Sequence, residues 1–381
     1  TITMQPENST RRTATISMQS FRTFIVRGIT RSFMGRTLYR RPIAIVYNDP
    51  YLLEDGSKKS LDSPVLDSLD AFICGLRELK RPYKILRIDK YNSVEIINEL
   101  IEQSYEMAIN LCEDISGNNL REPNIPALLE LLGIEYTGSG PLALGLTCYK
   151  DRSKHLLKGA GLKTPAFFVT DHEMEKVPID FPLIVKPQHE DASIGIHHDS
   201  VAFDLEHLNR KIENIREVLK QPSIVEQYID GREFNVGVVG NPGEVLPIAE
   251  INFDGLPEGH AKICSYEAKW NYGSVFDVGT KPFFPELSPK LRQAITTAAL
   301  AAYELFQCRD YARVDMRVDQ KGVPYILEVN CNPDVCPGAG FFRAFSLNGR
   351  TYADFVAMLI SFMEERIRCR EPEPARAVPE L

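Results

Sequence analysis

The chain has 381 residues, 44% of them hydrophobic and 25% charged, an ordinary balance for a folded protein with room for two or three lobes. Its 52 acidic against 44 basic side chains leave a net charge of −8, which argues against general affinity for nucleic acid. No apolar run approaches the roughly 18 residues of a membrane span, and eight scattered cysteines suit reduced thiols and a cytoplasmic setting.

Residues 1–41 stand apart, with Glu7 as their only acid among many arginines. Such a composition suits either an organelle transit peptide or a basic extension, and the extension is the reading adopted. PIAIVYN (42–48) predicts a buried strand, 63–79 an amphipathic helix, YKILRI (83–88) a strand, 93–104 a helix, MAINL (107–111) a strand and 125–133 a helix stopping at Gly133. This alternation predicts a parallel sheet with right-handed crossovers over 42–147, a Rossmann-like first lobe. From Lys150 the pattern changes to a helix reaching Ala160, a strand in FPLIVKP, a helix over 204–219 and a strand in PSIVEQYI. A central lobe is expected over 148–230, a C-terminal lobe over 231–370 closing with a helix at 352–368, and a disordered tail at 371–381.

The most informative stretch is YARVDMRVDQKGVPYILEVNCNPD, 311–334. VDMRVD alternates, Gln320-Lys321-Gly322 supplies a turn, and VPYILEV is apolar and β-prone, so a hairpin is expected. Side chains at i and i+2 share a face of a strand. One face therefore gathers Asp315, Glu328 and Asn330, an incomplete cage of hard oxygens suited to Mg²⁺, or Mn²⁺ in its stead, with open positions for phosphate oxygens. Arg313 adds a cationic fork on that face. Cys331 and Cys336 follow closely, and C-x4-C alone is poor evidence for zinc.

With these segments, EYTGSG (135–140), KDRSKHLLKGAGLKTP (150–165), PLIVKPQHEDASIGI (182–196), IVEQYIDGREFNVGV (224–238) and SYEAKW (265–270) appear in a fixed order. In that order the chain resembles the ATP-grasp enzymes, and among them the D-alanine–D-alanine ligase-like proteins, from about residue 43 to 365. The resemblance implies an α/β fold in which two α+β lobes clamp ATP. It implies that Lys150, Lys186 and Lys269 hold phosphates, under a loop (189–195, including Ser193) offering backbone N–H groups. It assigns Glu226 and the backbone of Gln227 and Ile229 to the adenine edge, and Glu233 to the ribose. The implied reaction makes an acyl phosphate from a small carboxylate, or activates a ketone, before an amino-acid amine attacks. Arg313 and Lys269 would steady the charge that develops. A homodimer is the expected assembly.

The substrate half departs from the family's pattern. The glycine-rich segment expected after the first strand is replaced by DPYLLEDGSKKS, and the HG-x-x-GEDG segment by NLCEDISGNNLREP. Of the two serines in the phosphate loop, Ala192 replaces the first; the partnering tyrosine is Trp270. Ala339 stands for a serine, and Asn332-Pro333-Asp334 for S-P-G. Ala192, Trp270, Asp334 and Ala339 thus mark a rewritten substrate site. The order of loop 189–195 is expected to come from substrate stacked on Trp270 or from Asp334. An amino-acid ligase acting on a small metabolite, as in mycosporine-type biosynthesis, is favoured over a D-alanine–D-alanine ligase, a small-molecule phosphotransferase and a non-catalytic nucleotide binder.

Overall fold

The computed structural model describes residues 41–48 and 64–370. The extension before Arg41, the segment replacing the glycine-rich motif and the tail at 371–381 lie outside the described residues.

The first lobe runs β1 (Ile43–Tyr47), α1 (Pro64–Glu78), β2 (Tyr83–Arg87), α2 (Ser93–Glu102), β3 (Met107–Leu111), α3 (Asn124–Leu131), β4 (Glu135–Tyr136) and α4 (Pro141–Thr147). Its strands form one parallel sheet in the order β2-β1-β3-β4. The middle strands are almost wholly buried and, Asn110 apart, apolar because helices cover both faces, and Gly133 ends the α3 turn at φ +69°.

The second lobe comprises α5 (Lys150–Gly159), β5 (Phe167–Thr170), β6 (Leu183–Pro187), β7 (Val201–Ala202), α6 (Leu205–Leu219) and β8 (Ser223–Gln227). The strands pair antiparallel as β5-β8-β6-β7. On α6, Leu208, Ile212 and Ile215 fall on one face and are buried against the sheet. Asp204 caps this helix by accepting the His207 N–H at 2.8 Å.

The remaining elements are β9 (Gly231–Val239), β10 (Glu244–Val245), β11 (Ala249–Asn252), α7 (Tyr266–Trp270), α8 (Val275–Val278), β12 (Lys281–Phe283), α9 (Pro289–Leu305), β13 (Tyr311–Asp319), β14 (Pro324–Asn330), α10 (Gly340–Ser346) and α11 (Tyr352–Cys369). They build a six-stranded antiparallel sheet, β12-β11-β9-β13-β14 with β10 beside β9. The sequence reading named no element between β9 and β13 apart from the SYEAKW motif. That span holds short strands, two single-turn helices and α9, whose start is set by the Ser288 cap and Pro289. Behind the sheet, Ile295, Ala299 and Ala302 of α9 pack on Phe234, Val236, Val314 and Met316. An aromatic cluster of Phe72, Tyr311, Phe341, Phe345 and Phe355 joins α1 to α10 and α11. Among the described residues no helix is long and apolar enough to cross a membrane.

Candidate active site

The hairpin forms as its alternation predicts, with Gly322 in the left-handed region at φ +77°. Arg313 faces Asn330, and Asp315 faces Glu328, followed by a register shift at Asp315/Met316. Two carboxylates directly opposite one another repel, so a cation is needed between them. Arg313 fills that role here. Its guanidinium donates to both Asp315 oxygens at 2.8 and 2.7 Å and lies 4.0 Å from Glu328. Asn235, opposite Asp315 on β9, donates a third bond at 2.8 Å. Arg313 is thus paired with Asp315, an ion pair the sequence reading did not name. Burial works to raise the Glu328 carboxyl, but Lys150, Arg313, Lys269 and Lys186 hold it down at about 2. Asn330 Oδ1 accepts the Asn332 N–H at 2.9 Å.

A cleft with about 760 Å³ of empty space opens beside the hairpin. Lys150, Lys186, Ser193, Glu226, Gln227, Ile229, Glu233 and Lys269 all line it, as do Ala192, Asp315 and Glu328. Asn330 borders an adjoining recess shared with Lys150 and Glu328. Lys150 is held by the carbonyl of Glu190 and, at 3.1 Å, by Asp191, both on the phosphate loop.

Glu226, which the resemblance assigns to an adenine edge, sits deep in the cleft wall. It is 1% exposed and lies 3.2 Å from both Lys186 and Lys154. Burial opposes its ionisation, but the two lysines hold its carboxyl below the usual range. Its Oε1 is buried with no hydrogen-bond partner among the described residues, an acceptor awaiting a donor. Gln227 donates its N–H to the Ala166 carbonyl, and the Ile229 carbonyl accepts from Arg317.

Three contributors were missed in the sequence. Lys154, buried on α5, donates at 3.0 Å to Thr164 and to the Leu327 carbonyl. Burial lowers its ammonium to about 8, against the pull of Glu226. Its signal was its place one helical turn after Lys150. Arg317 lines the cleft, two residues beyond Asp315 on the same strand face. Asn332 ties the first lobe to the hairpin by donating to the Cys112 carbonyl at 3.1 Å and to Glu122 at 2.7 Å; nothing in the sequence pointed to that contact.

The phosphate loop is ordered from within. The Trp270 indole N–H donates to the Ala192 carbonyl at 3.0 Å, and Ser193 Oγ donates to the Cys264 carbonyl at 2.8 Å. Tyr266 N–H bonds the Ile196 carbonyl at 2.7 Å, and His197 pairs with Glu267 at 2.8 Å. The substrate contact expected to hold this loop is therefore unnecessary: Ala192 loses a hydroxyl, and Trp270 binds the backbone instead. Ala192 and Ser193 both adopt positive φ, 53° and 62°.

Asp334 and Ala339 lie beyond the hairpin, outside the lining of the cleft. Asp334 accepts the Cys336 N–H at 2.8 Å, and Ala339 takes the position before the first turn of α10 without a capping side-chain bond. Burial raises the Asp334 carboxyl, and burial with Asp334, Asp114 and Asp191 pushes Glu113 up to about 8. Cys331 and Cys336 are buried thiols, with Cys331 Sγ 3.3 Å from Cys308 Sγ. Among the described residues no three His, Cys, Asp or Glu side chains converge as a metal cluster. The hairpin set has two carboxylates and an amide.

Residues 156–361 match the family model described as "D-ala D-ala ligase C-terminus". The D-alanine–D-alanine ligase of Bacillus anthracis is 30% identical over 295 residues, 75% of this chain and 90% of that protein. The chain belongs to the D-alanine–D-alanine ligase family. It is therefore an ATP-grasp enzyme, an ATP-dependent ligase of the class that forms C–N bonds. The uncharacterized protein y4sG of Sinorhizobium fredii is 35% identical over 262 residues, 68% of this chain and 75% of that protein. The fold of this family member superposes on a crystal structure of the Bacillus anthracis D-alanine–D-alanine ligase complexed with ATP at a TM-score of 0.65. That match covers 86% of this chain and 98% of the other at 24% identity.

Proposed function

We propose that this ligase joins an amino acid, through its amine, to a small carboxylate other than D-alanine, releasing ADP and phosphate. The observation that carries the reading is the convergence of Lys150, Lys186 and Lys269 on ionised Glu328 in one cleft. Beside it the phosphate loop is rebuilt around Trp270 and Ala192.

ATP supplies about four negative charges, which the three lysines neutralise while Ser193 and the loop backbone cover the phosphates. Glu226 Oε1 accepts the adenine amino group. The Ile229 N–H, which has no partner among the described residues, donates to the ring, and Glu233 takes the ribose hydroxyls. The donor set at Asp315, Glu328 and Asn330 fits Mg²⁺ or Mn²⁺, hard oxygens beside a phosphate site, with Glu328 the carboxylate that Arg313 leaves unbonded. Such an ion supplies charge neutralisation at the phosphates. Arg313, anchored on Asp315, and Lys269 hold the carboxylate and steady the oxyanion when the amine attacks the acyl phosphate.

The test is phosphate release with ATP and a panel of amino acids and small acids. Release only with an acid and an amine together supports ligation. Release with one substrate alone indicates a phosphotransferase, and efficient formation of D-alanyl-D-alanine from saturating D-alanine overturns the substrate assignment.

A further inference from the structure

Arg317 occupies the adenosine side of the cleft, almost fully buried at 3% exposure. It stands directly opposite Glu233, on β13 against β9. Its Nε donates to Glu233 Oε2 at 3.0 Å, its Nη1 to the Ile229 carbonyl at 2.9 Å and its Nη2 to the Lys262 carbonyl. Its guanidinium lies 5.0 Å from the Tyr228 ring centre and 5.6 Å from that of Phe253, within cation–π range of both. One rigid fork therefore binds three segments bordering the nucleotide: the crossover from β8 to β9, β9 itself and the loop leading to α7.

A buried carboxylate free to rotate makes a poor reader of hydroxyls, whereas one with an oxygen fixed by a guanidinium presents the other in a set direction. Glu233 Oε1 has no donor among the described residues, so the fork on Oε2 leaves Oε1 for a ligand. We infer that Arg317 is the positioning residue for sugar recognition. It orients Glu233 towards the ribose and fixes the Ile229 peptide that meets the base. This rests on the proposed nucleotide reading and assigns a role to a residue with no phosphate contact. Lysine could keep the charge but not the three-way fork.

The test is calorimetry of ATP, 2′-deoxy-ATP and 3′-deoxy-ATP with wild type, Glu233→Gln, Arg317→Met, the double variant of these two, and Arg317→Lys, with thermal melts alongside. Wild type should prefer ATP over at least one deoxy analogue by roughly tenfold, the scale of one charge-assisted hydrogen bond. Arg317→Met should bring that ratio to within about threefold, as Glu233→Gln does, with no further loss in the double variant. Arg317→Lys, which keeps the charge and much of the packing, should give an intermediate ratio and decides the matter if the methionine variant does not fold. Full discrimination in Arg317→Lys and in folded Arg317→Met, with discrimination lost in Glu233→Gln, would overturn the role of Arg317 and leave the ribose reading intact. Equal binding of all three nucleotides by wild type would overturn both.

Discussion

On the wall of the cleft proposed to take the nucleotide, cations and anions are interleaved. Glu226 lies between Lys154 and Lys186, Glu233 against Arg317, and Asp315 against Arg313. On the side facing loop 110–123, Glu113, Asp114, Glu122 and Asp334 crowd together with no ion pair among the described residues. Burial leads the causes that raise all four carboxyls. A preorganised lattice of alternating charges suits a ligand that is the same in every turnover. Crowded acids attract a cation, and an amine substrate would be one. On the proposed reading, ATP takes the first wall and the choice of substrate falls to the second.

The largest effect that can break this comparison is expected at Glu328. Glu328→Gln should lower kcat roughly 10²–10³-fold, the scale for losing one preorganised electrostatic group, while ATP still binds. Near-normal phosphate release by a folded variant would remove Glu328 from the chemistry. Because its folded carboxyl lies at about 2 against an ordinary 4.5, its ionised form stabilises the fold above about pH 4.5. That contribution fades as pH falls towards 2. Wild type should therefore lose melting temperature faster than Glu328→Gln across that acid window. Next in size is Lys186→Ala. It should weaken ATP binding by about 1.5–3 kcal/mol, the worth of a charge-assisted contact. Unchanged affinity by calorimetry would reduce Lys186 to a counterion of Glu226.

The two walls were unequally legible in the sequence. The hairpin could be read because strand alternation fixes which side chains share a face, and Arg313, Asp315, Glu328 and Asn330 do share one. The lysines came through motif order. Lys154 and Arg317 did not, since a buried lysine and a buried arginine carry the same letters as solvated ones, and only tertiary contacts give them partners. The Trp270–Ala192 bond was invisible for a further reason. It uses a backbone carbonyl, so a missing side-chain hydroxyl looked like a lost contact when the contact had moved to the main chain. The span from β11 to β12 was unread because its strands are short and its two helices are single turns, too brief for periodicity to register.

A smaller effect sharpens the boundary between the walls. Trp270→Phe keeps the ring and removes the indole N–H from the Ala192 carbonyl. The loss should be about 0.5–1.5 kcal/mol of loop ordering, read as a several-fold rise in the KM for ATP. Trp270→Ala removes the ring as well. If Phe behaves as wild type and only Ala is impaired, then the ring, not the bond, holds the loop, and Trp270 belongs with the substrate wall.

The smallest expected effect probes the acidic wall itself. Glu113 is exposed by surface area, yet desolvation by the surrounding protein, then Asp334, Asp114 and Asp191, push its carboxyl up to about 8 from an ordinary 4.5, and solvent screening keeps the stability linked to that shift small. Between those values the folded chain keeps a proton that the unfolded chain releases, so stability falls as pH rises from about 4.5 to 8. Glu113→Gln removes that titration. The variant should melt progressively above wild type as pH rises through this window, and the gap should level off beyond it. A saturating amine substrate should narrow the gap, because an ammonium beside Glu113 favours its ionised form and repays the repulsion from Asp334. Parallel melting curves for the two proteins would show that Glu113 titrates as an ordinary surface carboxylate. The second wall would then be no more than a solvated acidic patch, and the amine would have to be recognised elsewhere.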